Sequence, residues 1–386
     1  MPLALTTQDI NQPNLRMEKI KVLHITQAFG GVETYLRQVI QNIDRNKFEI
    51  VIASPEKHTL QNFCEENNVK HLILNMTRGV NPFADVASVF RVRRLIKKEK
   101  PNLVHLHSSK AGFIGRIAAK TKKSKSLFTP HGVSYLSFTG FKRRLFFSLE
   151  LFAKRYTYKI LAVSHSEANR CINEIGLKKE NVYVIPNSLS LYDLSAPVPD
   201  KLGKLAGAMK VGTVARLTAQ KNPLLYVDIA ADVIKKFSET HFYFLGAGYH
   251  DHLKKEVDER IKKHAIEKNF HFINMGDHIL SLNFLRQIDV FVLPSKFEGL
   301  PYALLEAMYE GVPCVVSKCD GNIDVIDNNV NGFSCVTREE YVETISLLLT
   351  NNKKAKQIGE AGKNYVMEHH DIKNNIKLLE KIYEEI

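Results

Sequence analysis

A chain of 386 residues, 44% hydrophobic and 25% charged, has the composition of an ordinary globular protein and room for two domains. No apolar run reaches the roughly 18 residues that a membrane-spanning helix needs, and five scattered cysteines (Cys64, Cys171, Cys314, Cys319, Cys335) argue against a disulfide scaffold or thiolate metal site, leaving reduced thiols. The net charge of +13 is unevenly shared: residues 1–190 carry 30 Lys and Arg against 14 Asp and Glu, and residues 191–386 carry 24 against 27.

The basic excess gathers at Arg91, Arg93, Arg94, Lys97 and Lys98, across residues 120–125, and at Lys142, Arg143, Arg144, Lys154 and Arg155. Such patches attract anionic lipid or nucleic acid, at about 1 kcal/mol per basic residue near an anionic membrane.

In chain order, residues 1–17 are polar apart from Leu3-Ala4-Leu5 and read as a disordered leader, not a signal peptide. Residues 21–26 form a first strand, and Phe29-Gly30-Gly31-Val32-Glu33 then opens a helix over 32–43. Paired glycines let backbone amides approach an anion at a helix N-terminus, although an ordinary strand-to-helix turn fits equally well. The spacing is not that of a dinucleotide-binding turn. Further strands are predicted at 48–53, 71–74, 103–106, 126–129, 160–163 and 182–185, with helical patterns between them, as at 84–98 and 111–120.

Val104-His105-Leu106-His107 and Thr129-Pro130-His131-Gly132 place histidines just past two of these strands. A lone histidine is usually structural; two such loops at one sheet edge suggest a polar cleft wall, with His107 on it and His131 as the preferred active-site residue. Neither His105 with His107 nor His369 with His370 has supporting ligands nearby, so no metal site is expected. Over 141–158, Phe141, Leu145, Leu149, Phe152 and Tyr156 form one apolar stripe, broadened by Phe146, Phe147 and Leu151 and rimmed by basic residues. That pattern suits an interfacial membrane helix and a sheet-packed helix about equally.

Residues 191–208 read as a linker. A second series of strands follows at 210–214, 242–245, 270–273, 290–293 and 314–316, and the chain closes in helix from about 353. Strands alternating with helices predict an α/β protein with two doubly wound, Rossmann-like parallel sheets facing a cleft, in domains 18–190 and 209–365.

Two loops of the second domain carry chemistry. Arg216 and Lys221, after its first strand, can converge on one anion as a guanidinium fork and an ammonium; two surface cations are the plain alternative. Glu298 and Glu306 bracket Gly299-Leu300-Pro301 at the carboxyl end of an apolar strand, where α/β proteins bind ligands. Pro301 suits the first helical position, with Glu306 about two turns inside. Amides around Gly299 and Tyr302, with the helix dipole behind them, favour an anion, and the acids can accept hydrogen bonds from sugar or ribose hydroxyls.

Together, Phe29–Glu33, the Arg216/Lys221 loop, Ile185-Pro186-Asn187-Ser188 and the E-x7-E pair resemble the retaining glycosyltransferase family 4, of the GT-B fold, from about residue 19 to the C-terminus. The resemblance implies a nucleotide-sugar donor, UDP-linked, with no metal or other cofactor. It implies a diphosphate held by Arg216 and Lys221 over Gly30 and Gly31, and a donor sugar near Glu298 and the Gly299 and Leu300 amides. Glu306 would meet the ribose hydroxyls, and His131 the transferring sugar. Asn187 stands where the family often has Asn-Gly-Val-Asp and is placed with His107 on the acceptor side. A terminal helix, 366–386, would cross back to the first domain.

The expected function is transfer of a sugar to a polyprenyl-diphosphate-linked or other glycan acceptor in capsule, O-antigen or exopolysaccharide synthesis, which Arg78-Gly79-Val80-Asn81-Pro82-Phe83 also resembles. The expected location is cytoplasmic, peripheral on the anionic inner face of the plasma membrane. Two rivals stand beside it: an isomerase resembling UDP-N-acetylglucosamine 2-epimerases, and a non-enzymatic nucleic-acid binder, which would lack aromatic stacking platforms on its strands.

Overall fold

The computed structural model describes residues 18–386 apart from 28, 57, 78, 192–199 and 249–252. The expected leader, much of the expected linker, and Arg78 therefore lie outside the described residues.

The first sheet holds β1 (Ile20–Thr26), β2 (Phe48–Ser54), β3 (Lys70–Ile73), β4 (Leu103–His107), β5 (Lys125–Thr129), β6 (Lys159–Ala162) and β7 (Val182–Val184). All pair in parallel, in the order β3-β2-β1-β4-β5-β6-β7. The second holds β8 (Met209–Val214), β9 (Thr240–Ala247), β10 (Phe270–Asn274), β11 (Val290–Leu293), β12 (Cys314–Ser317) and β13 (Phe333–Cys335), in the parallel order β10-β9-β8-β11-β12-β13. Strands such as Val290–Leu293 are buried on both faces, which is why they read as unbroken apolar runs. β13, a three-residue strand, was not anticipated.

Helices cover both sheets. In the first domain they are α1 (Gly31–Asn42), α2 (His58–Glu66), α3 (Pro82–Glu99), α4 (Ser109–Thr121), α5 (Gly140–Ala153) and α6 (His165–Asn173). In the second they are α7 (Pro223–Lys236), α8 (Lys254–Lys263), α9 (His278–Leu285), α10 (Tyr302–Tyr309), α11 (Arg338–Thr350) and α12 (Asn352–His369), and α13 (Ile372–Glu385) ends the chain. Strand order reverses between β1 and β4 and between β8 and β11. Such switch points open a crevice at the carboxyl ends of the strands. The segments leaving β1, β4, β8 and β11 begin at Gln27, Ser108, Ala215 and Pro294, and they carry the glycine turn, the Ser108 loop, Arg216 and Glu298.

The helical C-terminus is two helices, not one. α12 stops before His370, Asp371 caps α13, and Leu189 bridges Asp371. α13 then lies on α1, burying Ile372, Ile376, Leu379, Ile382 and Tyr383 along one stripe. Glu380 accepts from the Asp44 amide at 2.7 Å, and Glu384 pairs with Lys47 at 3.1 Å. The expected stripe of 141–158 also divides. α5 tightens into a 3-10 turn at Lys154–Tyr156, Phe146 and Phe147 pack into the first domain's core, and Phe141 stays 80% exposed.

Candidate active site

The glycine turn and the acidic turn meet. Gly30 has φ 76° and ψ −123°, a conformation open in practice to glycine, and it starts α1 with its backbone. A Cβ on Gly31 would stand 3.7 Å from the Tyr302 ring at the start of α10. Opposite them, Lys221 Nζ lies 2.5 Å from Glu298 Oε1, with only 13% and 5% of the two side chains exposed. Gln220 flanks the pair, donating to the Phe297 carbonyl at 3.1 Å and to Glu298 at 3.3 Å. Arg216, half-buried, sits two residues past β8, in the turn closed by Thr218 N–H on the Arg216 carbonyl.

Gly299 is pinned between two backbones. A Cβ there would come within 2.8 Å of Gly132 N and 2.9 Å of the His131 carbonyl carbon, across the domain junction. From the other side, a Cβ on Gly321 would strike the Gly299 carbonyl at 2.6 Å. Gly299→Ala therefore has no flexible side chain to displace. The domains must separate locally, and we expect about 1–3 kcal/mol of lost stability together with reduced turnover. A melting curve and initial rates on that variant check both.

Glu306 is buried, and His278 Nε2 approaches it at 3.2 Å from the exposed start of α9. Two details of this turn differ from expectation. Pro301 occupies the cap and not the first helical position. Its φ of −77° is helical, but its ψ of 124° is extended, and its carbonyl accepts from Leu304 and Leu305. Glu306 is four residues after Tyr302, little more than one turn inside the helix.

His131 adopts a left-handed φ of 55° beside Gly132 and keeps a partly exposed edge. His107 does not line the cleft. It is fully buried, as is every residue of β4, a central strand covered on both faces, and its Nδ1 meets His131 Nε2 at 3.1 Å. Asn187 lines a narrow pocket between the domains, with Tyr35, Gln38 and Tyr302. It is buried, donating to the Leu300 carbonyl at 2.8 Å while its own carbonyl lies 2.7 Å from His370 Nδ1. It joins the domains under the acidic turn.

Sequence reasoning also missed three residues. His24 lies beside His105 and His107, and one ligand-capable atom from each of the three falls within 4.8 Å of the others. This corrects the expectation that these histidines lack a neighbouring ligand. A histidine amid the buried Leu23 and Ile25 is the signal that could have shown it. Glu167 accepts from Gly132 N–H at 2.5 Å and Val163 N–H at 2.8 Å, and burial pushes its carboxyl up to about 7. Ser164-x-x-Glu167 reads as a capping box, which hides the link to Gly132. His278 stands in a polar turn without any pattern to mark it.

The domains touch elsewhere. Asp324 accepts from Ser166 N–H at 2.9 Å and also from the Ser166 hydroxyl, and Arg170 pairs with Asp320. One apolar cluster runs from α1 through Leu300 and α10 to α13.

Two family models match in succession: Glycosyltransferase Family 4 over residues 29–191 and Glycosyl transferases group 1 over residues 198–365. An Escherichia coli UDP-Gal:alpha-D-GlcNAc-diphosphoundecaprenol alpha-1,3-galactosyltransferase is 30% identical over 331 residues, 82% of this chain and 84% of that one. A Campylobacter jejuni N,N'-diacetylbacillosaminyl-diphospho-undecaprenol alpha-1,3-N-acetylgalactosaminyltransferase is 24% identical over 86% of this chain and 90% of its own. In structure, Anabaena HepE in complex with UDP and glucose superposes with a TM-score of 0.80 at 18% identity, covering 95% of this chain and all of that one. With both domain models in tandem and a relative at that identity over most of its length, the chain belongs to the family 4, group 1 glycosyltransferases of the GT-B fold.

Proposed function

We propose that this glycosyltransferase moves a sugar from a UDP-linked donor to a polyprenyl-diphosphate-linked glycan in surface-polysaccharide synthesis, with retention and without a resident metal. One observation carries the reading. The Lys221–Glu298 pair and the Gly299 backbone from the second domain meet His131-Gly132 from the first, where both sheets end.

The reaction must stabilise charge growing on a diphosphate as the glycosidic bond loosens. Arg216, Lys221 and the first amides of α1 and α10 suit that task, since those amides have no partner inside their helices. Glu298 takes the donor sugar's hydroxyls beside the Gly299 and Leu300 amides. Glu306, oriented by His278, takes the ribose hydroxyls. The sugar's C1–O bond to the phosphate breaks, its bond to the acceptor oxygen forms on the same face, and the acceptor proton passes to the departing phosphate oxygen. Named donors and acceptors of the relatives support the substrate class.

Thermal shift across a nucleotide-sugar panel, followed by transfer onto an undecaprenyl-diphosphate sugar, tests this reading, because a ligand of the folded state raises Tm. Release of free epimerised sugar without acceptor would favour the isomerase instead.

The membrane belongs to the same proposal. Among the described residues no helix is long and apolar enough to cross a bilayer. Phe83 at 90% and Phe141 at 80% exposure stand on α3 and α5, with Val86 and Phe90 extending the α3 face. Both helices pack on α4 and share one core cluster, and both carry exposed arginines and lysines. An open cavity of about 550 Å³ lined by Tyr135, Gly140, Arg143, Arg144, Phe147 and Glu174 lies beside α5, its two arginines against one acid leaving it cationic where a lipid-linked anion would approach. We expect flotation with anionic vesicles that 0.5 M salt, at a Debye length of roughly 4 Å, largely abolishes, and that Phe83→Asp with Phe141→Asp weakens. Equal binding to neutral vesicles would count against it.

A further inference from the structure

Behind His131 runs a line of imidazoles that the proposed chemistry leaves unused. Register sets His24 of β1 beside His105 of β4 and Thr26 beside His107, so the three histidine rings share one face of the sheet. His24 and His107 stack with rings 5° apart, and Tyr35 and Tyr383 close around them. Two hydrogen bonds connect three rings: His24 Nδ1 to His107 Nε2 at 3.0 Å, and His107 Nδ1 to His131 Nε2 at 3.1 Å. His105 stands outside this line, bonded to the Tyr383 hydroxyl at 2.6 Å and to Thr129 Oγ1 at 2.8 Å. His24 Nε2 is buried without a partner.

Burial keeps these rings neutral, so each carries one N–H. Two bonds among three neutral imidazoles then have only two consistent arrangements. In one, every N–H points inward, and His24 is left with a buried Nε2–H that has no acceptor. In the other, every N–H points outward, His24 Nε2 keeps a bare lone pair, and His131 carries its proton on Nδ1 at the partly exposed edge. Buried N–H groups without an acceptor are rarer in native proteins than under-satisfied acceptors. The outward arrangement is the one this burial pattern favours.

We propose that His24 and His107 are positioning residues, forming a directional imidazole chain that fixes His131 as its Nδ1–H tautomer and offers that N–H to an acceptor oxygen of the bound donor. The second half rests on the transferase reading above; the tautomer itself does not. A donor at that position suits sugar and phosphate oxygens, whereas the opposite tautomer would present a lone pair to them.

The test is long-range 1H–15N correlation on the full chain labelled with 15N-histidine, which distinguishes protonated from bare ring nitrogens without substrate. Nδ1–H is expected at His24, His107 and His131. His24→Phe keeps the stacked ring but removes the donor. His107 Nε2 then faces an apolar ring, where a bare lone pair is again tolerated better than an N–H, so His131 should stay Nδ1–H and only one hydrogen bond is lost. His24→Met offers His107 Nε2 a weak acceptor and no donor. It should draw the His107 proton to Nε2, turn His131 toward Nε2–H and lower kcat about tenfold, the value of roughly one hydrogen bond, with KM little changed. An Nε2–H tautomer at His131 in the unmodified protein overturns the proposal, as does His24→Met with unchanged tautomer and kcat. Stoichiometric metal that His24→Phe releases would overturn it too, because coordination consumes the lone pairs the chain uses. If no nucleotide sugar binds while the Nδ1–H signals are present, the transferase reading fails and the imidazole chain stands.

Discussion

Lys221→Ala and Arg216→Ala are each expected to lower turnover about 10²–10³-fold, or roughly 3–4 kcal/mol, the usual effect of removing one preorganised group from a developing charge. For Lys221 the structure adds a complication. Its ammonium is paired with Glu298 at 2.5 Å, and both side chains are largely out of water. Deleting one member of a buried ion pair strands the other, at a cost of about 3–5 kcal/mol in stability. A poorly active Lys221→Ala protein could therefore be merely unstable.

The double variant Lys221→Met, Glu298→Gln separates these effects. It replaces a buried charge pair with neutral groups of similar size, and such swaps are often neutral or stabilising. We expect its Tm to return to within a few degrees of the parent and its turnover to stay low. Recovery of turnover would mean that Lys221 serves only to neutralise Glu298, and the assignment to the diphosphate would fall. For Arg216, substitution by lysine is informative: charge is kept, the bidentate fork is lost, and an intermediate rate is expected.

What the chain reveals by itself depends on whether a residue's partner is near in sequence. Strands such as Val290–Leu293 announce themselves because burial on both faces demands an unbroken apolar run. The acidic turn was legible for the same reason: Glu298, Gly299 and Glu306 lie within one strand–turn–helix unit. Asn187 was not, because its partner Leu300 is 113 residues away and an asparagine after a strand resembles any loop residue. His24 was hidden inside a strand, 83 residues from His107. Pro301 fits the cap and the first helical position equally well by φ, and ψ alone separates them. The helix α5 (Gly140–Ala153) was half legible. Periodicity found the aromatic stripe, but only packing shows that Phe146 and Phe147 turn inward while Phe141 turns outward.

The same histidines make acid the condition to which this fold should be most sensitive. Desolvation lowers His24 from 6.5 to about 3, holds His105 and His107 well below 6.5, and lowers His131 as well. The ring contacts around them come from Tyr35 on α1 and Tyr383 on α13, and no carboxylate hydrogen-bonds any of the four among the described residues. Below pH 6.5 the unfolded chain binds protons that the native one refuses, so the stability of neutral burial is present above 6.5 and lost as pH falls. Each group contributes a slope of about 1.4 kcal/mol per pH unit, and four give roughly 5. Glu167 opposes them. Raised from 4.5 to about 7, its carboxyl stabilises the fold as pH falls through that window. It returns only about 1.4 kcal/mol per unit, so the histidines prevail by nearly four to one. Against a typical total of about 5–15 kcal/mol, unfolding is expected between about pH 3 and 5. Circular dichroism with parallel proton-uptake measurement checks this: His24→Phe should reduce uptake on unfolding by one proton near pH 5 and move the midpoint to lower pH. An unchanged uptake in that variant would mean that His24 is solvated or already charged in the native state, and that the buried face of β1 and β4 is wetter than its packing implies.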